Sequence, residues 1–179
     1  MQETLLIKYL KSLNSNEIKQ FRDFIYSPVF NKNSKLSELF ELHYKFYPEF
    51  DTEELSDQNL FEKIFSGEKY NYSKIKNLIS DLFALGKEFL AFNSYRKNQN
   101  VKEKLLLFEL RNRNLDSAFE KTHKLADKRL ESNLAKDEEY YFHKKTLELE
   151  LMSYYSPKKP NVNFHFLQKR HDLFLNYAA

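Results

Sequence analysis

The fold of this chain is decided by residues 70–92, YNYSKIKNLISDLFALGKEFLAF. Apolar residues recur there at intervals of three and four without a proline, which is typical of an amphipathic helix. We expect a helix over about 72–93, roughly 33 Å long at 1.5 Å per residue. Because Phe83, Ala84 and Ala91 widen its apolar face beyond one stripe, we expect this helix to be covered on two sides.

Gly86 stands in the interior of this predicted helix. A glycine there costs about 1 kcal/mol relative to alanine. We therefore expect a compensating close approach by a crossing helix at this position.

The composition of the 179 residues favours helices elsewhere as well. There are only 2 Gly and 4 Pro, and no Asn-Gly or Asp-Gly pair that would signal a tight hairpin between strands. The 17 Phe and 12 Tyr provide enough large side chains for a core although Trp is absent. The sequence predicts an all-α fold of about nine helices, an N-terminal helical group followed by antiparallel helical hairpins in the manner of an α-solenoid.

Two domains are predicted. Residues 1–95 form a helical domain built around the 72–93 helix, and residues 96–179 form a helical-hairpin array. The polar stretch 93–100 is the boundary candidate between them. The alternative is that the long helix runs through the first half of this stretch. The last predicted helix, 162–177, has no polar tail, which predicts that the array could continue beyond this chain.

Residues 101–177 follow a pattern of helix, turn, helix and loop. Ala118 occupies the place of the small residue that opens the second helix of a repeat, and Leu105 fits its first helix. In these positions the segment resembles tetratricopeptide-like helical hairpins, which implies an α-solenoid with an extended concave surface for protein partners. The strict repeat consensus is not met, because Glu109 and Leu125 stand where an aromatic residue and an alanine are expected.

Several kinds of chemistry are excluded by composition. With glycine only at positions 67 and 86, neither a phosphate-binding loop nor a dinucleotide fingerprint can be built. Without cysteine there is no disulfide, thiolate nucleophile or cysteine-ligated metal. No catalytic constellation is recognisable, so we predict a non-enzymatic protein with no cofactor and no catalytic residues.

The five histidines suggest no metal centre. Glu139 and His143 are four residues apart and could share a metal, but a weak side-chain pair on a solvated helix face explains the spacing equally simply. His165 and His171 are six apart and would not share a helix face. We assign no metal ligand.

No run approaches the roughly 20 apolar residues of a membrane span. The N-terminus shows no basic leader followed by a long apolar run, and a cysteine-free chain suits a reducing compartment. We expect a cytoplasmic protein without a membrane partner.

Two tyrosine pairs supply the candidate interaction surface: Tyr140, Tyr141, Tyr154 and Tyr155. Adjacent helical residues point in different directions, so we expect one ring of each pair in the core and the next toward the edge. Partly exposed aromatic rings are common at protein interfaces. The leading hypothesis is a scaffold or adaptor that binds a protein or peptide through helical-hairpin surfaces.

The alternative hypothesis is nucleic-acid binding by basic residues within 111–170, where the excess of basic over acidic residues lies. Such residues could form a stripe that follows phosphates. Ten are candidate phosphate contacts: Arg111, Arg113, Lys121, Lys124, Lys128, Arg129, Lys144, Lys145, Lys158 and Lys159. Interleaved acidic residues favour ordinary solvated helix faces instead. The sequence does not predict an oligomeric state.

Overall fold

The computed structural model describes residues 4–156 and 158, and over these residues the chain is all-α, as predicted. This part contains eight α-helices, one 3-10 helix at Glu53–Leu55 and no strand. The helices are α1 (Leu5–Ser12), α2 (Ser15–Tyr26), α3 (Ser34–Tyr44), α4 (Asp57–Ile64), α5 (Tyr72–Lys97), α6 (Gln99–Asn112), α7 (Asp116–Glu131) and α8 (Glu138–Tyr155). The predicted helix 162–177 lies outside the described residues.

The chain divides into two compact units, Met1–Asn93 and Ser94–Ala179. Each unit has a hydrophobic core of its own. That residues 1–95 and 96–179 are independently folding domains stays a prediction.

Polar side chains set the starts of the helices. The Asn14 side chain accepts hydrogen bonds from the amides of Asn16 and Glu17, at 3.0 and 2.9 Å, and the Glu17 carboxylate accepts one from the Asn14 amide. Asp137 likewise accepts from the Tyr140 amide at 3.0 Å. Each such cap contributes about 1 kcal/mol to helix stability.

The boundary between the two units falls in the polar stretch 93–100, which is helical almost throughout, as the alternative of a longer helix predicts. Helix α5 continues to Lys97 and α6 begins at Gln99, so that Asn98 alone lies between them. The Asn98 side chain caps α6 by accepting a hydrogen bond from the Val101 amide at 3.0 Å. Residues 94–99 are exposed, so their polarity reflects contact with solvent rather than a break in helical structure, whereas Asn93 is buried.

Helix α5 presents one face to the core of the first unit. Five of its residues are buried there at alternating intervals of three and four: Ile75, Leu78, Leu82, Leu85 and Phe89. Ala84, Leu90 and Ala91 are exposed, so the prediction that this helix is covered on two sides is wrong. Small and apolar residues widened the stripe without requiring a second packing partner.

The expected close approach at Gly86 is confirmed, and its partner is the ring of Tyr9 on α1. A Cβ atom on Gly86 would lie 2.7 Å from Tyr9 Cζ and still closer to Cε1. The ring cannot easily withdraw, because it is buried and meets Phe21 and Phe83 edge-on at centroid distances of 5.3 and 6.0 Å.

Substituting Gly86→Ala should therefore destabilise the protein, although alanine is the better helix former. We expect the free energy of unfolding to fall by about 1–3 kcal/mol, as for other overpacked cores. Urea unfolding followed by circular dichroism measures this change in the free energy of unfolding. In a Tyr9→Ala background the clash is gone, and the same substitution should stabilise by about 1 kcal/mol. A gain in stability in the wild-type background would contradict the contact.

Candidate functional site

The sequence-predicted site residues lie on α6, α7 and α8 of the second unit and in the segment after α8. The three helices share a small core that includes the fully buried Leu107 of α6, Phe119 and Leu130 of α7 and Leu147 of α8. Residues on the other helix faces are available for binding unless they are engaged within the unit.

The tyrosine pairs behave as the sequence predicts, with one ring of each pair in the core. Tyr140 and Tyr154 are buried, and the Tyr154 ring stacks on Phe119 at a centroid distance of 4.1 Å. Their neighbours Tyr141 and Tyr155 are half-buried and meet them edge-on at 5.1 and 4.9 Å. Only Tyr141 and Tyr155 can therefore contribute to a surface.

One face of α6 carries an apolar stripe that sequence reasoning missed. Val101, Leu105 and Phe108 are 37%, 46% and 43% exposed, whereas Leu107 is fully buried. Their spacing places them together on one side of the helix, and Leu106, which is also exposed, lies outside this group. The signal was present in the sequence, since α6 has more apolar residues than one packing face requires. We call these three residues the α6 stripe.

Two of the candidate phosphate contacts instead join helices within the unit. Arg129 of α7 donates to both oxygens of the Glu103 carboxylate on α6, at 3.1 and 2.7 Å, and to the Asn100 side chain. Lys144 of α8 is buried and donates to carboxylates on α7, to Asp127 at 2.5 Å and to Glu131 at 2.6 Å. These side chains stabilise helix packing and are not available to a nucleic acid.

Both arginines at the end of α6 are also paired. Arg111 lies 3.5 Å from the Glu150 carboxylate, with its guanidinium 5.3 Å from the centre of the Phe108 ring. Arg113 pairs with Glu109 one helical turn before it. Arg111 thus links α6 to α8, and Arg113 makes a local pair on an exposed face.

The candidates in and after α8 are engaged as well, so far as the structure describes them. Lys158 pairs with Asp116, and its ammonium lies 3.8 Å from the centre of the Tyr154 ring. Lys145 is half-buried and interacts within the protein. Lys159 lies outside the described residues.

Three lysines of α7 remain free. Lys121, Lys124 and Lys128 are exposed, and none makes an ion pair with any residue that the structure describes. Their spacing of three and four places them along one side of the helix, beside the exposed Leu125. The ten candidates therefore do not form one free positive face, because five of them are held in ion pairs.

The contact between Lys144 and Glu131 keeps both groups charged. The hydrogen bond from Lys144, joined by bonds from Tyr140 at 3.0 Å and Lys136 at 3.3 Å, lowers the pKa of Glu131 to about 2. Burial by itself would lower the pKa of Lys144, but its bonds to Asp127 and Glu131 outweigh burial and raise that pKa. The pair is therefore ionised throughout the neutral range.

The histidines of the second unit occupy structural positions where they are described. Glu139 and His143 lie 3.3 Å apart, which is the side-chain pair expected for their spacing. Nε2 of His123 donates to the Leu147 carbonyl at 3.3 Å, and burial lowers the pKa of this imidazole. Residues 4–156 and 158 contain no group of three His, Asp or Glu side chains able to hold a metal. His165 and His171 lie outside this range.

None of the described helices combines the length and the apolar character needed to cross a membrane.

No model of a known protein family, no curated protein and no solved structure matches this chain. The resemblance to tetratricopeptide-like hairpins over residues 101–177 therefore stays a prediction.

Removing the ion pairs that Lys144 forms with Asp127 and Glu131 should destabilise the protein. Lys144→Ala deprives two carboxylates of their shared cation, and we expect a loss of about 2 kcal/mol, typical of hydrogen bonds to charged groups. Both carboxylates retain access to water, which keeps the loss below that for a fully buried pair. Lys124→Ala is the matched control, and it should change the free energy of unfolding by less than about 0.5 kcal/mol. If both substitutions lowered the free energy of unfolding in urea equally, the stabilising role of the Lys144 ion pairs would be contradicted.

The depressed pKa of Glu131 predicts a pH dependence of stability. A carboxylate with a lower pKa in the folded than in the unfolded state stabilises fully above the unfolded value, about 4.5, and loses that contribution as pH falls toward about 2. The stability advantage of the wild type over Glu131→Gln should therefore shrink between about pH 5 and pH 2. Asp81→Asn, at an exposed position of α5, is the control. A constant advantage across this range would contradict the assignment.

Proposed function

We propose that this protein is a non-enzymatic scaffold or adaptor that binds an amphipathic helix of a partner protein on the α6 stripe. The observation that carries the proposal is the exposure of Val101, Leu105 and Phe108 together on one face of α6, away from the buried Leu107. Apolar residues at intervals of four and three are the anchors through which one helix packs on another.

The expected affinity is modest. Full burial of a large apolar side chain is worth about 1.5–3 kcal/mol, so covering the remaining exposure of three such residues would supply about 2–4 kcal/mol. Association costs at least about 4 kcal/mol of lost freedom, so the partner must also contact the polar residues beside the stripe. A transient complex fits these magnitudes better than a permanent one.

The lysines of α7 support a second candidate function, the binding of nucleic acid. Lys121, Lys124 and Lys128 form a short line of positive charge without an ion-pair partner among the described residues. Three phosphate contacts would give a slope of about −3 in a plot of log affinity against log salt concentration. The internal pairing of Arg111, Arg113, Arg129, Lys144 and Lys158 makes this the weaker proposal. For either function we propose a cytoplasmic location, which suits a chain without cysteine.

Site-specific photo-crosslinking in living cells tests the leading proposal. A photoreactive phenylalanine analogue replaces Leu105 in the α6 stripe or, as the matched control, the exposed Leu125 of α7. We expect protein adducts at position 105 and only background at position 125. Phe108→Glu in the chain labelled at position 105 should remove the adducts, and circular dichroism checks that the variant is folded.

The identity of the cross-linked adducts also distinguishes binding of a partner protein from nucleic-acid binding and from self-association. Nucleic-acid adducts at position 125, lost in the variant with Lys121, Lys124 and Lys128 changed to Ala, would favour the second candidate. Adducts with a second copy of this chain would indicate self-association. Equal labelling of positions 105 and 125 would contradict the α6 stripe as a binding surface.

A further inference from the structure

The first unit contains a cavity of about 640 Å³ between α1, α3, α4, α5 and the loop after α3. Its volume is in the range of small-molecule binding sites. Apolar side chains form part of the lining, among them Ile7 of α1, Leu60 of α4 and Ile79 of α5. All residues of the lining belong to the first unit, so the cavity is separate from the α6 stripe and from the function proposed for it.

A buried imidazole forms part of the lining of this cavity. His43 is 2% exposed and lines the cavity, and its Nδ1 lies 2.8 Å from the carbonyl oxygen of Leu39. Because a carbonyl only accepts hydrogen bonds, Nδ1 carries the proton and Nε2 is left with its lone pair. Burial lowers the pKa of His43, so the ring is neutral near pH 7. Nε2 makes no hydrogen bond to the residues that the structure describes.

The free charge at the cavity is negative. Glu49 and Asp51 line it, are exposed, and have no ion-pair partner in the described part of the chain. The other charged groups of the lining are satisfied, since Asp57 pairs with Lys76 at 2.8 Å and Lys11 interacts within the protein. An occupant would thus meet two uncompensated carboxylates.

Phe50 anchors the loop that carries these two residues. It lies between them in sequence, is buried in the core of the first unit, and donates its amide to the Phe46 carbonyl at 2.8 Å. Its φ of 54° lies in the left-handed region, which is unfavourable for a bulky residue. The buried ring therefore fixes the loop in a conformation that it would not otherwise adopt, with Glu49 and Asp51 on either side.

We propose that this cavity binds a small organic cation, an ammonium or guanidinium group on an apolar body. A donor N–H of the ligand bonds to Nε2 of His43, and the positive charge is balanced by Glu49 and Asp51. The hydrocarbon part packs on the apolar lining. Neutral imidazole and carboxylate are acceptors, so they favour a donor-rich cation over an anion.

Three probes with the same aromatic body test the charge requirement. Phenethylamine, 2-phenylethanol and phenylacetate are titrated into the full chain labelled with ¹⁵N, and amide shifts are followed by NMR. We expect phenethylamine to shift the amides of cavity residues such as Asp51 and Ser56. Phenylacetate should bind at least about tenfold more weakly. The absence of cavity shifts with phenethylamine, or equal binding of the amine and the acid, would overturn the proposal.

Exposed carboxylates allow a test that does not disturb folding. The double variant Glu49→Gln, Asp51→Asn should weaken phenethylamine binding about tenfold and leave 2-phenylethanol unaffected. The control is Glu53→Gln, Glu54→Gln, which neutralises two carboxylates in the neighbouring 3-10 helix outside the lining. Equal weakening in both double variants would show a general attraction of the negative surface and overturn the site.

Discussion

The contact between the Tyr9 ring and Gly86 is the constraint on which the first unit depends. Helix α5 has no side chain at Gly86, and the large side chain of Tyr9 on α1 occupies the space. The Tyr9 hydroxyl is buried without a hydrogen-bond partner among the described residues, and burial raises its pKa. The ring is thus retained for its shape rather than for its polar group. With Tyr9 directed at α5, residues on another side of α1, such as Ile7, line the cavity.

The second unit is held together differently. Its core is small, and charged side chains connect its helices at several points: Arg129 joins α7 to α6, Lys144 joins α8 to α7, and Arg111 joins α6 to α8. Buried ion pairs add little net stability, because removing the charges from water costs nearly as much as their attraction returns. They do favour one alignment of the helices over others, since a shifted helix would leave a buried charge unpaired.

Local rules account for what the sequence predicts well. The spacing of apolar residues identifies the helices of the described part, and caps such as Asn14 and Asp137 mark where they begin. The same rules fail where packing against another part of the protein determines the structure. Polarity across 94–99 accompanies solvent exposure, which a helix end and a loop share, so it could not decide how far the long helix extends. The wide apolar face of α5 around Ala84 and Ala91 suggested that a second element packs on this helix. Both alanines are instead exposed, because small apolar side chains are also tolerated in contact with water.

Tertiary pairing explains why the candidate sites were harder to predict. Periodicity places Tyr140 and Tyr141 on different faces but does not say how much of each ring is covered. Nothing local distinguishes Lys144, which meets two carboxylates of another helix, from Lys124, which meets none in the part of the chain that the structure describes. The cavity lined by His43 depends on residues from four helices and a loop, so no single stretch of sequence contains it.

The two kinds of lysine in the second unit differ in their chemistry toward enzymes and reagents. Acylation requires an accessible, uncharged amine. Lys144 is buried, and its carboxylate partners raise its pKa, so it offers neither access nor a neutral nitrogen. Lys121, Lys124 and Lys128 stand in solvent on a single side of α7. Acetylation of these three lysines would therefore neutralise the charge on this side of α7 while leaving intact the ion pair of Lys144 that aligns α8 with α7.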